Sequence, residues 1–487
     1  MSTRKPILLG IFDGHNASAG VYVEDRVVSL VQEERLVRVK NHYGLPERAV
    51  AEALRLAGVT AAEIDRVCCA SRYVSAPRGP HWATESFEAR YRGGLAGPAR
   101  RWITGSRAYR QRRARQRMEE RRSAIAALGF APDKVRFCEH HEGHAATAYH
   151  GLRRDQEPYL VLTLDGGGDG LSGSVWIGCD GTLECQETIP QADSLGELYA
   201  VTTHLLGFTP LEHEYKLMGM APYADPRYAE PTSRIYDGYL GFDSQPPLRF
   251  RRLVSEPLSE VGPRLERDLG RARFDSVCAG LQLFTERILC EWIRRCVGQT
   301  GVNRVLAAGG VFMNVKANKV VSELADVRSF EAFPSCGDES LPIGACYLEA
   351  RDLGVQPAPI EHCYLGNDLS PEECLQAVAA AGDRVTAEGP QDMADRVAQI
   401  LAEGEIVARA AGPMEFGARA LGNRSILADP RNQDVVRVIN MMIKKRDFWM
   451  PFAPVVLRRR AAAYFTNPKD LPSPFMMNTF DSTDQRQ

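Results

Sequence analysis

Ile7-Leu-Leu-Gly-Ile-Phe-Asp-Gly-His-Asn-Ala-Ser18 and Tyr159-Leu-Val-Leu-Thr-Leu-Asp-Gly-Gly-Gly-Asp-Gly-Leu-Ser172 decide the fold of this chain. Each is an apolar, strand-like run that enters a polar turn bearing glycine, and a second apolar run follows. The pattern predicts strands at 7–12 and 20–31 joined by Asp13–Ser18, and strands at 159–165 and 172–178 around Asp165–Gly170. Two strand–turn–strand units of one layout imply a duplicated α/β architecture. Residues 47–58 read as a helix, 65–71 as a strand and 276–297 as a long helix. Val305–Ala308 reads as a strand running into the turn Gly309-Gly310. Strands alternating with helices, with glycine turns at strand ends, indicate parallel or mixed sheets flanked by helices. A linker with two prolines, Gly354–Ile360, divides a domain over 1–355 from a smaller α/β domain over 361–487.

The length of 487 residues exceeds a single core. A hydrophobic content of 44% with 25% charged residues is that of an ordinary globular protein, and a net charge of −2 argues neither for nor against a polyanionic partner. No apolar run approaches the roughly 20 residues a bilayer-spanning helix needs, so no membrane partner is expected. The start leads into a strand with no cleavable signal, and twelve cysteines occur without a CxxC pair. This usage predicts reduced thiols and a cytoplasmic protein rather than a disulfide or zinc framework.

One stretch departs from that balance. Arg100, Arg101, Arg107, Arg110, Arg112, Arg113, Arg115, Arg117, Arg121 and Arg122 crowd a helix-prone insertion over about 75–125. Such density suits RNA or another polyanion. It equally suits a solvated helical insertion or lid, and the sparseness of aromatic residues among the arginines favours the latter.

Three constellations carry chemistry. His140 and His144, in His140-His-Glu-Gly-His144, stand four apart, so on a helix both imidazoles face one side. Asp165 at a strand end and Asp338 in the turn Cys336–Ser340 would complete a site for a hexacoordinate divalent ion such as iron. Surface histidines of no function share the HxxxH spacing. The turns carrying Gly166, Gly167 and Gly168, and Gly309, Gly310 and Asn314, would let backbone amides approach a nucleotide. No Walker motif occurs, which excludes an ordinary P-loop enzyme. Finally, Glu415–Arg431 and Lys444–Pro454 set Arg419, Arg424, Arg431, Lys444, Lys445 and Arg446 among glycines with few acids to answer them. Guanidinium forks so placed bind a phosphate or carboxylate, or else form a solvated basic face.

The wording of that last segment, Arg419-Ala-Leu-Gly-Asn-Arg-Ser-Ile-Leu-Ala-Asp-Pro-Arg431, closely resembles the carboxy-terminal signature of the O-carbamoyltransferases of antibiotic and nodulation-factor biosynthesis (NodU/CmcH type). The resemblance extends through His15-Asn-Ala-Ser18, Glu33-Glu-Arg35, His140–His144, Glu214-Tyr-Lys-Leu-Met-Gly-Met-Ala-Pro-Tyr223, Gly309–Asn314 and Asp338-Glu-Ser340. It implies a duplicated actin-like (ASKHA) domain, similar to the tRNA threonylcarbamoyl transferase, followed by a YrdC-like domain. It further implies that carbamoyl phosphate and ATP, with Mg2+, yield carbamoyl adenylate and pyrophosphate in the smaller domain. The carbamoyl group then passes to the larger one, where a bound Fe2+ or other divalent metal polarises it and a hydroxyl of a small natural product attacks. By motif, the resemblance makes His140, His144, Asp165 and Asp338 the metal ligands and puts His15 and Lys216 near the transferred group. Arg419, Arg424 and Lys444 would hold carbamoyl phosphate or the ATP phosphates. A homodimer is one option for the assembly.

Three positions depart from the signature. Pro413 and Met450 stand where the family carries arginines, and Ala418 replaces a proline. The family continues for several dozen residues past the position of Gln487. The adenylate-forming site is therefore expected to be altered or incomplete, which touches the first half-reaction more than the second. A related metal- and ATP-binding acyltransferase using another donor or a preformed adenylate is the nearest rival. A tRNA-binding or regulatory module, resting on the arginine-rich stretch alone, is the rival of another class.

Overall fold

The computed structural model describes residues 5–74, 82–91, 107–242, 248–432 and 434–483. Its contacts divide the chain into one unit of Met1–Glu361 with Ala462–Gln487 and a second of His362–Ala461.

In the first unit the expected strand over 20–31 is two strands. Glu24 adopts the left-handed conformation (φ 61°), and the chain reverses at Glu24-Asp25 between β2 (Ser18–Val23) and β3 (Arg26–Gln32). A two-residue polar turn between β-branched runs is the usual hairpin signal. With β1 (Ile7–Phe12), β4 (Arg66–Cys69) and β5 (Val135–Phe137) these strands form a five-stranded sheet in the order β3-β2-β1-β4-β5. The β1–β2 and β2–β3 pairs are antiparallel, while β1–β4 and β4–β5 are parallel.

The second sheet repeats this. β6 (Tyr159–Gly168), β7 (Leu171–Cys179), β8 (Thr182–Pro190), β9 (Arg304–Ala308) and β10 (Ser329–Ala332) lie in the order β8-β7-β6-β9-β10. Again the meander is antiparallel and the last two pairings are parallel. The duplicated actin-like α/β architecture expected from the sequence is thus present in strand order and direction.

Helices cover the sheets. The first sheet presents Leu9, Ile11, Val21, Val31 and Val67 to α1 (Glu47–Ala57) and to Ile125 of α2 (Arg107–Ala127). Each aliphatic side chain so buried stabilises the fold by about 1.5–3 kcal/mol. The basic insertion is therefore anchored in the core through α2. Its stretches at 75–81 and 92–106, with Arg100 and Arg101, lie outside the described residues.

Helix α3 (His140–Leu152) follows β5, α4 (Phe274–Thr300) precedes β9, α5 (Val315–Ser322) follows it, and α6 (Leu341–Asp352) follows β10. Both α3 and α6 thus follow the last parallel strand of their repeat, and the two pack on each other. The C-terminal residues strap α5, with Asn318 Nδ2 donating to the Met477 carbonyl (2.8 Å) and Lys319 paired with Asp481 (2.7 Å).

The second unit holds helices Pro371–Ala381 and Met393–Ala402 and an antiparallel ribbon of Val407–Ala410 with Arg424–Leu427. Its buried apolar side chains include Cys363, Leu365, Phe416, Val435, Ile439 and Met450.

Where α3 meets α6, a Cβ on Gly344 would run into the Gly143 carbonyl and the Thr147 hydroxyl. Gly344→Ala is accordingly expected to cost about 1–3 kcal/mol through overpacking, read by urea unfolding. Because α3 carries both histidines of the pair, the same variant should bind less divalent metal.

Candidate metal centre

The two histidines, the strand-end aspartate and the turn aspartate converge. His140 begins α3 and His144 lies one turn on, so both rings point the same way. Asp165 sits in β6 where its register with β7 is interrupted between Leu164 and Gly168, and Asp338 opens the 3-10 turn that leads into α6. One ligand atom from each lies within 4.8 Å of all the others, and all four residues are buried. His140 Nε2 is 2.7 Å from Asp165 Oδ2 and 3.5 Å from Asp338 Oδ1. His144 Nε2 is 3.2 Å from Asp165 Oδ2 and 3.3 Å from Asp338 Oδ1. Ligands about 2.0–2.2 Å from a shared ion stand roughly 2.8–3.6 Å apart at octahedral to tetrahedral angles, so these four histidine–aspartate distances are close to those within a single coordination shell.

Its electrostatics fit a cation as well. Burial alone would lower the His140 pKa, but Asp338 and Asp165 overcome it and push it up to about 10. His144 is raised in the same way, against burial, by hydrogen bonds to both carboxylates. Burial would raise the Asp165 carboxyl; His141, His140 and His144 hold it well below the usual range. Two buried carboxylates side by side need positive charge between them. Asp165 Oδ1 has no hydrogen-bond partner among the described residues, which leaves further donor capacity in the cluster.

Further residues surround the cluster. Ser71 Oγ lies 2.8 Å from His140 Nδ1. Asp169 accepts from the amides of His140 (3.0 Å), Arg72 (2.8 Å) and Tyr73 (2.7 Å). Arg121, one of the arginines in the basic stretch, is buried and paired with Asp13. Asp13 follows β1 as Asp165 ends the apolar run of β6, so the two are equivalent in the repeats. His141 donates or accepts at Thr163 Oγ1 (2.8 Å), and burial drives its pKa down to about 3. Gly168 lies against the His140 ring where any Cβ would collide with it.

The remaining residues singled out in the sequence fall as follows. His15 is paired through Nδ1 with Asp338 Oδ2 at 3.4 Å and keeps 30% of its side chain exposed. Gly166 and Gly310 have open space at the Cβ position, whereas Gly309 (φ 104°) abuts the Leu164 backbone. Asn314 caps α5 through Ala317 N (3.0 Å) and exchanges hydrogen bonds with Gln282. Lys216, on the short helix Glu214–Met220, has its ammonium 5.2 Å from the centre of the Phe208 ring. In the second unit Arg424 donates to the carbonyls of Gly412 (2.9 Å), Asn423 (3.0 Å) and Asn367 (3.2 Å), while Lys444 is exposed and Arg419 part-buried. The Met450 side chain is buried.

Glu214 offers a pH test away from the cluster. Burial raises its pKa to about 7, while its carboxylate accepts the Leu211 amide (2.7 Å). An acid raised in the folded state stabilises the fold fully below its unfolded pKa and loses that contribution as pH rises through about 7. Glu214→Gln keeps the acceptor and removes the charge. It should be neutral near pH 4 and more stable than wild type by roughly 1–3 kcal/mol near pH 9, a figure discounted for partial exposure. Thermal melting across that range checks it.

Comparison with known proteins agrees with these features. The Carbamoyltransferase N-terminus family matches residues 8–347 and the Carbamoyltransferase C-terminus family matches residues 398–487. The nodulation protein NolNO of Sinorhizobium fredii is 32% identical over 93% of this chain and 64% of its own length. An uncharacterized protein of Synechocystis is 31% identical over 97% of this chain and 79% of its own. The nodulation protein NolO of Bradyrhizobium diazoefficiens is 33% identical over 68% of this chain and 60% of its own. The chain thus spans less than two thirds of both nodulation proteins. Among the described residues no helix is long and apolar enough to cross a membrane. With both family matches in order along one chain, this protein belongs to the carbamoyltransferase family.

Proposed function

We propose that this chain is an O-carbamoyltransferase that moves a carbamoyl group from carbamoyl adenylate to a hydroxyl of a small natural product. The observation that carries the reading is the buried convergence of His140, His144, Asp165 and Asp338 in a chain of this family. These four residues would hold Fe2+ or another divalent ion. Bound there, the ion supplies Lewis-acid polarisation of the carbamoyl carbonyl. The protein's own groups do the rest. ATP or its adenylate lies against Gly166–Gly168 and Gly309–Gly310, where two of the glycines leave open space. The acceptor oxygen forms its bond to the carbamoyl carbon, the bond to the AMP oxygen breaks, and the hydroxyl proton leaves to a base. His15 would take that proton, a reading supported by its pairing with Asp338 and its partly exposed ring. Lys216 would bring positive charge to the departing or arriving group. In the first half-reaction water cleaves carbamoyl phosphate to carbamate and inorganic phosphate, and the carbamate oxygen attacks the α-phosphate of ATP, giving carbamoyl adenylate and releasing pyrophosphate. Arg419 and Lys444, with Mg2+ on the ATP, would hold these anions in the second, YrdC-like unit, in the cytoplasm.

One observation favours the rival in which this chain takes a preformed adenylate or another acyl donor. Arg424 is spent on backbone carbonyls and the Met450 side chain is buried, so the second unit offers fewer cations than the family signature would. Losing two charge-assisted contacts of about 1.5–3 kcal/mol each weakens an anion by roughly two to four orders of magnitude.

Two measurements test the reading. His144→Ala should remove stoichiometric metal by elemental analysis and abolish transfer while the melting transition stays cooperative; unchanged metal content would exclude the assignment. Single-turnover transfer to one acceptor should proceed from preformed carbamoyl adenylate and be far weaker from carbamoyl phosphate plus ATP. Equal efficiency from both donors, with micromolar saturation, would show that other residues replace the missing arginines.

A further inference from the structure

Ser71 follows β4 in the left-handed conformation (φ 64°), one that side chains other than glycine rarely hold, and it is almost fully buried. Such a conformation persists only where its surroundings over-determine it. Here they do so from two sides. The Arg121 guanidinium donates to the Ser71 carbonyl and, at 2.9 Å, to the Ala70 carbonyl, with its Nε on Asp13 Oδ2 at 2.8 Å. Asp169 takes the next two amides, Arg72 and Tyr73, and also the amide of His140. The peptide at 70–73 is thereby fixed relative to the first turn of α3, and the Ser71 hydroxyl lies 2.8 Å from His140 Nδ1.

The consequence follows from imidazole chemistry. His140 Nε2 faces the carboxylates, and to ligate an ion it must carry no proton. The ring proton then resides on Nδ1 and needs an acceptor, which Ser71 Oγ supplies. His144 Nδ1 has no such partner among the described residues. The four-ligand cluster therefore has one histidine whose tautomer and ring plane are set from outside and one whose are not.

We propose that Ser71 is a positioning residue for the metal, fixing His140 as an Nε2 ligand. Buried Arg121, held by Asp13, is the part of the basic helix that keeps Ser71 in place. This gives the arginine-rich α2 a role at the site without any nucleic acid. The inference rests on the reading of His140, His144, Asp165 and Asp338 as metal ligands.

The test compares the full-length wild type with Ser71→Gly and Ser71→Ala. Each is titrated with Fe2+ under anaerobic conditions against a competing chelator, and each metal-free protein is melted. Glycine suits the left-handed backbone and alanine does not, so the metal-free glycine variant should melt higher than the alanine variant. Both lack the hydroxyl, and both should bind Fe2+ about 10–100-fold more weakly than wild type. An affinity loss that tracks melting temperature, present in alanine and absent in glycine, would assign Ser71 a merely structural role and overturn the proposal. Unchanged affinity in both variants, with wild type binding one ion, would overturn it as well. A wild type that takes up no ion fails at the first titration, and it is then the metal reading that falls and takes this inference with it.

Discussion

Two carboxylates buried side by side set the terms for the larger unit. Asp165 and Asp338 lose most of their hydration where they stand, and their charges repel unless something positive lies between them. The repeat architecture shows what that something is. Asp13 and Asp165 occupy equivalent places at the ends of β1 and β6. Asp13 is answered by Arg121, whose guanidinium cannot give up its proton and so forms a permanent ion pair. Asp165 is answered by imidazoles, which can exchange a proton for an ion. The duplicated half that is locked by arginine supports the half that is left exchangeable.

That division requires close approach of backbone elements, and glycine marks where it occurs. Gly168 lets the end of β6 lie against the His140 ring, and Gly143 and Gly344 let α3 and α6 touch along their backbones. The second contact matters for the cluster because both helices begin close to its residues. His140 is the first residue of α3, and Asp338 lies three residues before the start of α6. Their separation is fixed by backbone packing, which is stiffer than any side-chain contact. The distances within the cluster are therefore set by the fold and not by the flexibility of four independent side chains.

Much of this was legible in the chain. The HxxxH spacing carries its own helical geometry, and the paired strand–turn–strand runs carry the duplication. The hairpin within 20–31 was missed, because apolar residues on both sides mask a turn as short as Glu24-Asp25. Arg121 was not legible either. Within a run of arginines the buried one has the same letter as its solvated neighbours, and only Ile125, four residues on along the same face of α2, hints that this face turns inward. Ser71 bears no mark at all, because its role depends on a left-handed backbone that Arg121 and Asp169 impose from distant parts of the sequence. Asn314 and Arg424 have the chemistry of ligand contacts, yet their polar atoms are largely taken up by a helix cap, by Gln282 and by backbone carbonyls. How many unpaired acceptors a folded loop will present is a tertiary property.

The signature loop of the second unit shows the same economy of charge. The Glu415 carboxylate accepts the amides of Leu421 (2.8 Å), Asn423 (2.7 Å) and Arg424 (3.0 Å), which hold its pKa below the usual range despite burial. A carboxylate among converging amides occupies the kind of nest that elsewhere receives an anion. Arg424 meanwhile collects the carbonyls of Gly412, Asn423 and Asn367. One residue satisfies the donors of the loop and the other its acceptors, so both serve to shape the backbone that presents Arg419. On this view the change at Met450 is different in kind from a lost contact. An arginine buried there would have to bring an anion or a carboxylate with it, whereas a methionine is content among apolar neighbours. Met450 carries no such demand, and its buried side chain adds to the small core of the unit.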